Sequence, residues 1–284
     1  MPEIPDLEAY ATYLNKRLPG LMVVEAEAPI AWIVRAGREE FLERMKGQAF
    51  KPVYRHAKLL MFPFESGDFL VVHAMLAGRY QYVEPKHRRR SKTAWILHLD
   101  NDMDLRYFDD RMMGRAFLVR EEEFAEHVPR WTEMGPDVMS PDLDEDGFLA
   151  VMMKGRGMIK NIITKERMVA GIGNAYSDEV LWEAGLHPFR KRTDIPEEDL
   201  RKLFHAIRNT MAWATPIVTE LTEEKGLPVK MYRDHLRVHK KGDEDCPRCG
   251  HRIHVDQVGW ARDELLPWLS GVTPVSDDLG LLET

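Results

Sequence analysis

Residues 159–179 read IKNIITKERMVAGIGNAYSDE, and this stretch determines how the C-terminal half of the chain folds. A helical pattern runs into a turn that contains Gly171 and Gly173, and a second helical pattern follows at Asn174. Glycine lets the backbone approach another molecule closely, and the unpaired N–H groups at a helix start favour a phosphate. The stretch predicts a helical hairpin with an anion site. The alternative is a tight hairpin in which Asn174 is only a cap.

Helical patterns continue on both sides of this hairpin. Helices are predicted over 148–153, 159–168, 175–184 and 197–219, the last of them broken by Pro216. A small module that contains both cysteines follows residue 230, and the chain ends in an acidic tail. The C-terminal half is therefore mainly helical.

The N-terminal half instead shows short runs between turns, which are typical of β-strands. Strands are predicted over 22–27, 50–54, 59–64, 69–73, 94–99, 105–108 and 116–119. A first helix begins near Pro5, and a short helix spans 38–46. The predicted fold class is α+β, with an N-terminal two-sheet β-sandwich flanked by helices and a C-terminal helical domain.

The composition changes along the chain and suggests five segments. They are a β-sandwich catalytic domain over 1–125, a linker over 126–146, a helical domain over 147–229, a finger-like module over 230–270 and a flexible acidic tail over 271–284. No run approaches the ~20 apolar residues of a membrane span. The acidic N-terminus is not a signal peptide, so we expect a cytoplasmic protein.

Charge is distributed unevenly over the chain. The net charge of −7 argues against a protein that coats DNA indiscriminately. Basic residues nevertheless cluster over 86–92 and 154–167, while acidic residues gather elsewhere. This arrangement predicts a basic groove on an acidic body, although solvated basic loops fit the same pattern.

Pro2 and Glu3 suggest a specific chemistry. Removal of Met1 would leave proline as a free secondary amine, whose ordinary pKa near ~8 leaves an unprotonated fraction at neutral pH. Such an amine can attack a sugar C1′ and give an iminium ion directly. The start of the first helix would disfavour protonation of the amine and favour the carboxylates of Glu3 and Asp6. The alternative is that Pro2 has no catalytic function.

One family combines these features in this order. The motifs are Pro2-Glu3, Lys58, His73 to Gly78, Asp109-Asp110-Arg111, Gly135-Pro136-Asp137, Gly171 to Glu179, His187-Pro188 and Cys246-Pro247-Arg248-Cys249-Gly250. Across residues 2–270 the sequence resembles the formamidopyrimidine-DNA glycosylase / endonuclease VIII family. The resemblance implies that the hairpin is a helix–two-turn–helix element. It also implies a monomeric DNA glycosylase and abasic-site lyase that acts on double-stranded DNA with oxidised bases or abasic sites.

The resemblance assigns catalytic roles to three residues. Pro2 would attack C1′ of the damaged nucleotide, expel the base and form a Schiff base. Glu3 would protonate the sugar ring oxygen or relay protons. Lys58 would hold a phosphate beside the lesion and assist strand cleavage by elimination.

The resemblance also implies a set of DNA contacts. Leu76 would enter the duplex where the nucleotide has been flipped out, although ordinary core packing is the alternative for a leucine. Arg111 would face the orphaned base, unless it forms a salt bridge with a neighbouring aspartate. Met113 replaces an aromatic wedge of the family. Further contacts to DNA are expected from Lys160, Asn174 and Arg262.

The C-terminal finger departs from the family pattern. Relatives usually carry four zinc cysteines, whereas this chain has only Cys246 and Cys249, and Pro267 and Ser270 stand where the second pair would be. Nearby histidines or Asp256 could complete a zinc site, but the spacing is cramped for one tetrahedral ion. We predict a β-hairpin finger without zinc and a reaction that requires no cofactor.

Residues 215–230 depart from the family as well. They lie where relatives have a glycine-rich loop that caps the lesion, yet here the segment is acidic and contains proline. Together with Met113, the altered finger and the acidic net charge, this departure keeps a second function open. That alternative is a non-catalytic damaged-DNA-binding protein of the same fold.

Overall fold

The computed structural model describes residues 1–228, 230–258 and 261–265, with the last strand pair described by its backbone. The N-terminal half begins with helix α1, Ile4–Asn15. Glu3 precedes this helix, and its backbone N–H donates to Asp6 Oδ2 at 2.9 Å. Pro5 lies in the first turn, where its missing N–H removes no helical hydrogen bond. The first helix therefore starts where the sequence predicted.

Eight strands form two four-stranded antiparallel sheets. The strands are β1 Val23–Glu27, β2 Tyr54–His56, β3 Leu59–Pro63, β4 Asp68–His73, β5 Gly78–Val83, β6 Thr93–Leu99, β7 Asp104–Asp109 and β8 Arg115–Arg120. One sheet has the order β1-β6-β7-β5 and the other β2-β3-β4-β8. Short helices α2, Arg38–Met45, and α3, Phe124–His127, flank them. The predicted β-sandwich with flanking helices is confirmed.

Two strand predictions were wrong. β5 was missed because it starts at a glycine and alternates buried residues with the half-buried polar Arg79 and Gln81. Residues 50–53 make one isolated bridge, from Phe50 to Phe64, and the regular strand β2 begins only at Tyr54. A β-carbon at Gly78 would lie 2.0 Å from the Tyr107 hydroxyl in the sandwich core, so only glycine fits this strand start.

Within the described residues, four α-helices build the C-terminal half. They are α4 Glu145–Met153, α5 Ile159–Ile163, α6 Asn174–Ala184 and α7 Glu197–Lys225. α5 ends five residues earlier than predicted, where the Lys165 N–H donates to the Ile162 carbonyl three residues back. A separate hydrophobic core fills the space between these helices and includes Phe148, Tyr176 and Leu203.

The predicted break at Pro216 is wrong, because α7 runs through it without interruption. Pro216 and Ala212, whose carbonyl would have accepted the missing N–H, are both exposed, so water can satisfy that carbonyl. The segment over 215–230, expected in place of a capping loop, is therefore helical up to Lys225.

Where the two halves meet, each half contributes apolar side chains to the hydrophobic core of the other. Ile4 belongs to the core of the helical half, whereas Leu227 and Met231 pack against the core of the sandwich. The N-terminus and the segment after α7 thus lie where the two cores meet.

A two-stranded hairpin follows, with β9, His254–Val258, antiparallel to β10, Ala261–Leu265. This hairpin matches the predicted finger, while Pro267, Ser270 and the predicted tail lie outside the described residues. Among the helices of the described part, none combines the length and apolar character that crossing a bilayer requires.

Candidate active site

The glycine turn of the helical hairpin holds the N-terminus of the chain. The Glu3 carboxylate accepts hydrogen bonds from the backbone N–H groups of Gly173 at 2.9 Å, Ala175 at 2.9 Å and Tyr176 at 3.1 Å. Glu3 is only 3% exposed. Because the start of a helix carries positive potential, it favours a carboxylate in this position. The predicted anion site therefore exists, but a side chain of the protein occupies it and not a phosphate.

Both glycines of the turn are required for this contact. A β-carbon at Gly173 would lie 2.4 Å from Cδ of Glu3, and one at Gly171 would lie 2.7 Å from Cδ1 of Ile4. Gly171 also has a φ of +109°, which side chains of L-residues rarely adopt. Gly173 is the N-cap of α6, so the alternative in which Asn174 is the cap is wrong. Asn174 is exposed beside the occupied anion site.

Pro2 is buried at the junction of the two halves. In the full chain its nitrogen is part of the peptide bond with Met1 and has no nucleophilic lone pair. Burial lowers the pKa of the N-terminal amine, the positive charge of Arg79 lowers it further, and Glu3 opposes this change. This amine belongs to Met1, and removal of Met1 would make the Pro2 nitrogen the terminal amine.

Lys58 follows the short strand β2 and is almost fully buried. Its Nζ lies 2.5 Å from Oε1 of Glu166, which belongs to the turn between α5 and α6. Burial lowers the pKa of nearby His73 to about 4, with a further contribution from the Lys58 charge. His73 is therefore neutral near neutral pH, and its Nδ1 accepts the Met75 N–H at 3.1 Å.

Asp137 anchors the turn that carries Lys58. Its carboxylate pairs with the Arg55 guanidinium and accepts the Ala57 N–H at 2.8 Å. The Arg55 guanidinium holds the pKa of Asp137 below its usual range, although burial acts in the opposite direction. The sequence indicated Asp137 only as part of the Gly135-Pro136-Asp137 motif. Its role in holding this turn depends on the contact with Ala57, which lies 80 positions away in the chain.

Two loops bring the predicted wedge residues to one end of a sheet. Strands β5 and β7 pair with Gly78 opposite Asp109, which places the loops over 74–78 and 109–114 side by side. Leu76 is 53% exposed and Met113 is 39% exposed, as is Met112. The alternative of core packing for Leu76 is therefore wrong.

Asp109 organises the second of these loops. Its carboxylate accepts the N–H groups of Arg111 at 2.9 Å, Met113 at 2.8 Å and Gly114 at 2.6 Å. The Arg111 side chain is exposed, and within the described part of the chain Asp109 binds backbone N–H groups and forms no salt bridge with the Arg111 guanidinium. The carboxylate thus shapes the backbone and leaves the guanidinium available at the surface.

Lys160 does not lie on the surface where a DNA contact was predicted. It is 4% exposed, and its Nζ donates to Asp178 Oδ1 at 2.6 Å. The other oxygen of Asp178 lies 2.6 Å from Nδ1 of His239, so Lys160 belongs to a buried polar network between α5, α6 and the segment that leads to the finger. A contact of Lys160 with a phosphate therefore stays a prediction, and it would require the ammonium to leave the Asp178 carboxylate, as Lys58 would have to leave Glu166.

The finger contains Arg262, which was predicted to contact DNA, and the two cysteines that were considered as zinc ligands. Arg262 lies on β10 in register with Gln257. Cys246 is buried in a small cluster that contains Trp182, whereas Cys249 is exposed. Among the described residues, no three His, Cys, Asp or Glu side chains are arranged to hold a metal ion. Since the whole chain has only two cysteines, a tetrahedral zinc site here would need two further ligands such as histidine, and a finger without zinc stays a prediction.

Arg248, between the two cysteines, attaches the finger to helix α6. Its guanidinium stacks 4.1 Å from the centre of the Trp182 ring and donates to the Trp182 carbonyl at 2.8 Å. It also lies 3.5 Å from the Glu183 carboxylate. Direct contacts therefore fasten the cysteine-bearing turn to the helical domain.

Comparison with known proteins places this site in context. Residues 1–116 match the model of the formamidopyrimidine-DNA glycosylase N-terminal domain, and residues 134–223 match that of the formamidopyrimidine-DNA glycosylase H2TH domain. The formamidopyrimidine-DNA glycosylase of Lactiplantibacillus plantarum is 30% identical over 266 residues, which cover 91% of this chain and 96% of the relative. The corresponding enzyme of Desulforamulus reducens is 29% identical over 270 residues, with coverage of 91% and 95%.

Solved structures show the same similarity. A complex between Lactococcus lactis Fpg and abasic-site DNA superimposes with a TM-score of 0.85 at 25% identity, covering 94% of this chain and 98% of that one. MutM bound to DNA with carbocyclic 8-oxo-G gives a TM-score of 0.84 at 26% identity, with coverage of 94% and 99%. The similarity therefore extends over both halves of the chain.

Proposed function

Because the chain belongs to the formamidopyrimidine-DNA glycosylase family, we propose that it is a DNA repair glycosylase with abasic-site lyase activity. Its substrate is double-stranded DNA that contains an oxidised base or an abasic site, as in the complexes of its structural neighbours. The observation that carries the proposal is the Glu3 carboxylate seated on the N-terminus of α6. This contact fixes residue 2 at the junction of the two halves, where a flipped nucleotide can reach it.

The reaction begins with the free amine of Pro2, which exists after removal of Met1. Its lone pair attacks C1′ of the flipped nucleotide, the C1′–N bond breaks, and the base leaves with the bonding electrons and takes up a proton. The Pro2 nitrogen then loses its N–H proton, the ring oxygen gains a proton, and the sugar ring opens to leave an iminium ion between Pro2 and C1′. Glu3 lies next in the chain and serves as the acid–base partner.

Strand cleavage follows from the same intermediate. The iminium ion acidifies the C2′ protons, so loss of one proton expels the 3′ phosphate by β-elimination. Water then hydrolyses the Schiff base and returns the free amine. Lys58 holds a phosphate beside the lesion in this scheme, and to do so its ammonium exchanges Glu166 for the phosphate.

The two adjacent loops fill the gap that base flipping leaves. Leu76 and Met113 supply exposed apolar side chains, which can replace the stacking of the extruded base. The exposed Arg111 faces the orphaned base from the same loop as Met113. Asn174 and Arg262 remain the proposed phosphate contacts of the helical domain and the finger.

We propose that the reaction requires no cofactor, since every step above uses groups of the protein, the substrate or water. The contacts of Arg248 with Trp182 and Glu183 support a finger that is positioned without zinc. A cytoplasmic location and a monomeric state remain our proposals for a repair enzyme of this kind.

Borohydride trapping tests the proposed function. Protein shown by mass spectrometry to lack Met1 is incubated with abasic-site duplex and borohydride, and the adduct is mapped by peptide mass analysis. We expect a covalent adduct on residue 2, with strongly reduced base excision in Pro2→Gly and reduced strand cleavage in Lys58→Ala. The exposed Pro19→Gly and Lys51→Ala serve as matched controls that retain wild-type activity.

The opposite outcome is equally informative. Salt-dependent binding to the abasic duplex without any adduct would overturn the catalytic proposal and favour the damaged-DNA-binding alternative. An adduct on a lysine, with none on residue 2, would reject Pro2 as the nucleophile.

A further inference from the structure

We infer that Arg233, on the segment after α7, is a positioning residue for the N-terminal nucleophile and acts through its buried ion pair with Asp6. This inference rests on the proposed lyase function and adds a residue to it. The pair joins two parts of the chain that are 227 positions apart.

The geometry of the pair is bidentate. Nη1 of Arg233 donates to Asp6 Oδ1 at 2.8 Å, and Nη2 donates to Oδ2 at 2.6 Å. The Asp6 side chain is 1% exposed, and that of Arg233 is 20% exposed. A buried carboxylate without a partner is strongly unfavourable, so Asp6 depends on this guanidinium. The sequence did not single out Arg233, because only the folded chain brings it to Asp6.

The ion pair connects directly to Glu3. Asp6 Oδ2, which accepts from Arg233, also accepts the backbone N–H of Glu3 at 2.9 Å. The Arg233 guanidinium lies 5.2 Å from the centre of the Tyr176 ring, and the Tyr176 N–H donates to the Glu3 carboxylate. Arg233 therefore contacts Asp6, which binds the Glu3 backbone, and Tyr176, which binds the Glu3 side chain.

The segment that carries Arg233 is itself attached to α6 and α1. The Glu179 carboxylate accepts the N–H groups of Arg237, Val238 and His239 at 2.9–3.0 Å. On the other side of Arg233, Met231 Sδ accepts the hydroxyl of Tyr10 at 3.3 Å. These contacts keep the arginine in place, so the segment and the N-terminus form one unit.

Four charged groups face the N-terminal amine. Arg79 comes from β5 and Arg233 from the segment after α7, while Glu3 and Asp6 come from the start of α1. In the full chain this amine belongs to Met1, next to Pro2; burial lowers its pKa most, both arginines lower it further, and both carboxylates raise it. Arg233 thus offsets Asp6, which otherwise would stabilise the protonated and unreactive amine.

The pH dependence of borohydride trapping tests the inference. Arg233→Gln removes a positive charge and leaves Asp6 uncompensated, so the pH midpoint of adduct formation should rise by about half a unit or more. Asp6→Asn should lower the midpoint by a similar amount. A purely structural role cannot produce shifts of opposite sign.

Three further variants complete the experiment. The double variant Asp6→Asn/Arg233→Gln removes both charges and should return the midpoint towards the wild-type value. Arg233→Lys keeps the charge and should retain the wild-type midpoint even if its adduct yield falls. Arg237→Gln is the matched control, because this arginine lies on the same segment and stacks on Trp213 at 3.8 Å but does not face the amine.

The outcomes separate the two proposals. If wild-type protein forms no adduct, the proposed function fails. If the wild type forms the adduct but both single variants keep its pH midpoint, or both shift it in one direction, the role of Arg233 is rejected. Circular dichroism on each variant shows that the folded protein is being measured.

Discussion

Lys58 Nζ lies 2.5 Å from Glu166 Oε1, so the lysine proposed to bind a phosphate is bound to a carboxylate in the free protein. A phosphate must therefore compete with this carboxylate for the lysine. The Glu166 side chain is partly exposed, which gives it a path to withdraw.

Glu166→Gln should therefore strengthen binding to DNA. We expect a several-fold lower Kd for a duplex with a stable abasic-site analogue, and a salt slope steeper by about one unit, because one more cation becomes available to the phosphates. Fluorescence anisotropy over a range of salt concentrations measures both quantities. Glu126→Gln removes a carboxylate that is 81% exposed and serves as a control, and weaker binding by Glu166→Gln would contradict the idea.

Leu76→Ala should separate activity from stability. Since the side chain is largely exposed, the free energy of unfolding should change by less than about 0.5 kcal/mol. Base excision from duplex DNA should fall about tenfold or more, because nothing then replaces the stacking of the flipped base. Urea unfolding and single-turnover excision are the measurements. Met22→Ala, which truncates another exposed apolar side chain, should leave excision unchanged, and equal losses in the two variants would reject the wedge role.

His73 should make stability depend on pH. Its pKa is about 4 in the folded protein and near 6.5 when unfolded, so the unfolded chain binds the additional proton between these values. The free energy of unfolding should thus decrease as the pH falls from about 6.5 to about 4, by up to about 3 kcal/mol. His73→Asn keeps an acceptor for the Met75 N–H and should flatten this part of the profile. Urea unfolding at several pH values provides the test, and parallel profiles for both proteins would be evidence against it.

Arg248 should contribute to the stability of the proposed zinc-free finger. Arg248→Ala removes the stacking on Trp182 and a hydrogen bond to its carbonyl, and should lower the free energy of unfolding by about 1–2 kcal/mol. Dialysis against EDTA should leave both stability and DNA binding unchanged. The exposed Arg252→Ala is the matched control. Stoichiometric zinc by mass spectrometry, with loss of binding after chelation, would refute this account of the finger.

Local patterns predicted most of the elements but not all of their limits. The β-sandwich and the helical hairpin were predictable because alternation, helical spacing and turn glycines depend on neighbours in the sequence. Strand β5 was missed because its inward side chains are recognisable only next to the Tyr107 core. The break at Pro216 was wrong because the effect of a proline depends on whether solvent reaches the carbonyl that loses its partner.

The sequence by itself determined the chemistry available at Pro2 and Glu3, the division into a β half and a helical half, and the need for glycine at 171 and 173. Only the tertiary structure decided what these glycines admit, which is the Glu3 carboxylate and not a phosphate. It also decided that Lys160 is buried, that Lys58 pairs with Glu166 and that Asp6 pairs with Arg233. The physical reason is distance along the chain. Periodicity records the preferences of neighbouring residues, whereas a buried carboxylate takes whichever donor folding brings to it from the other half of the molecule.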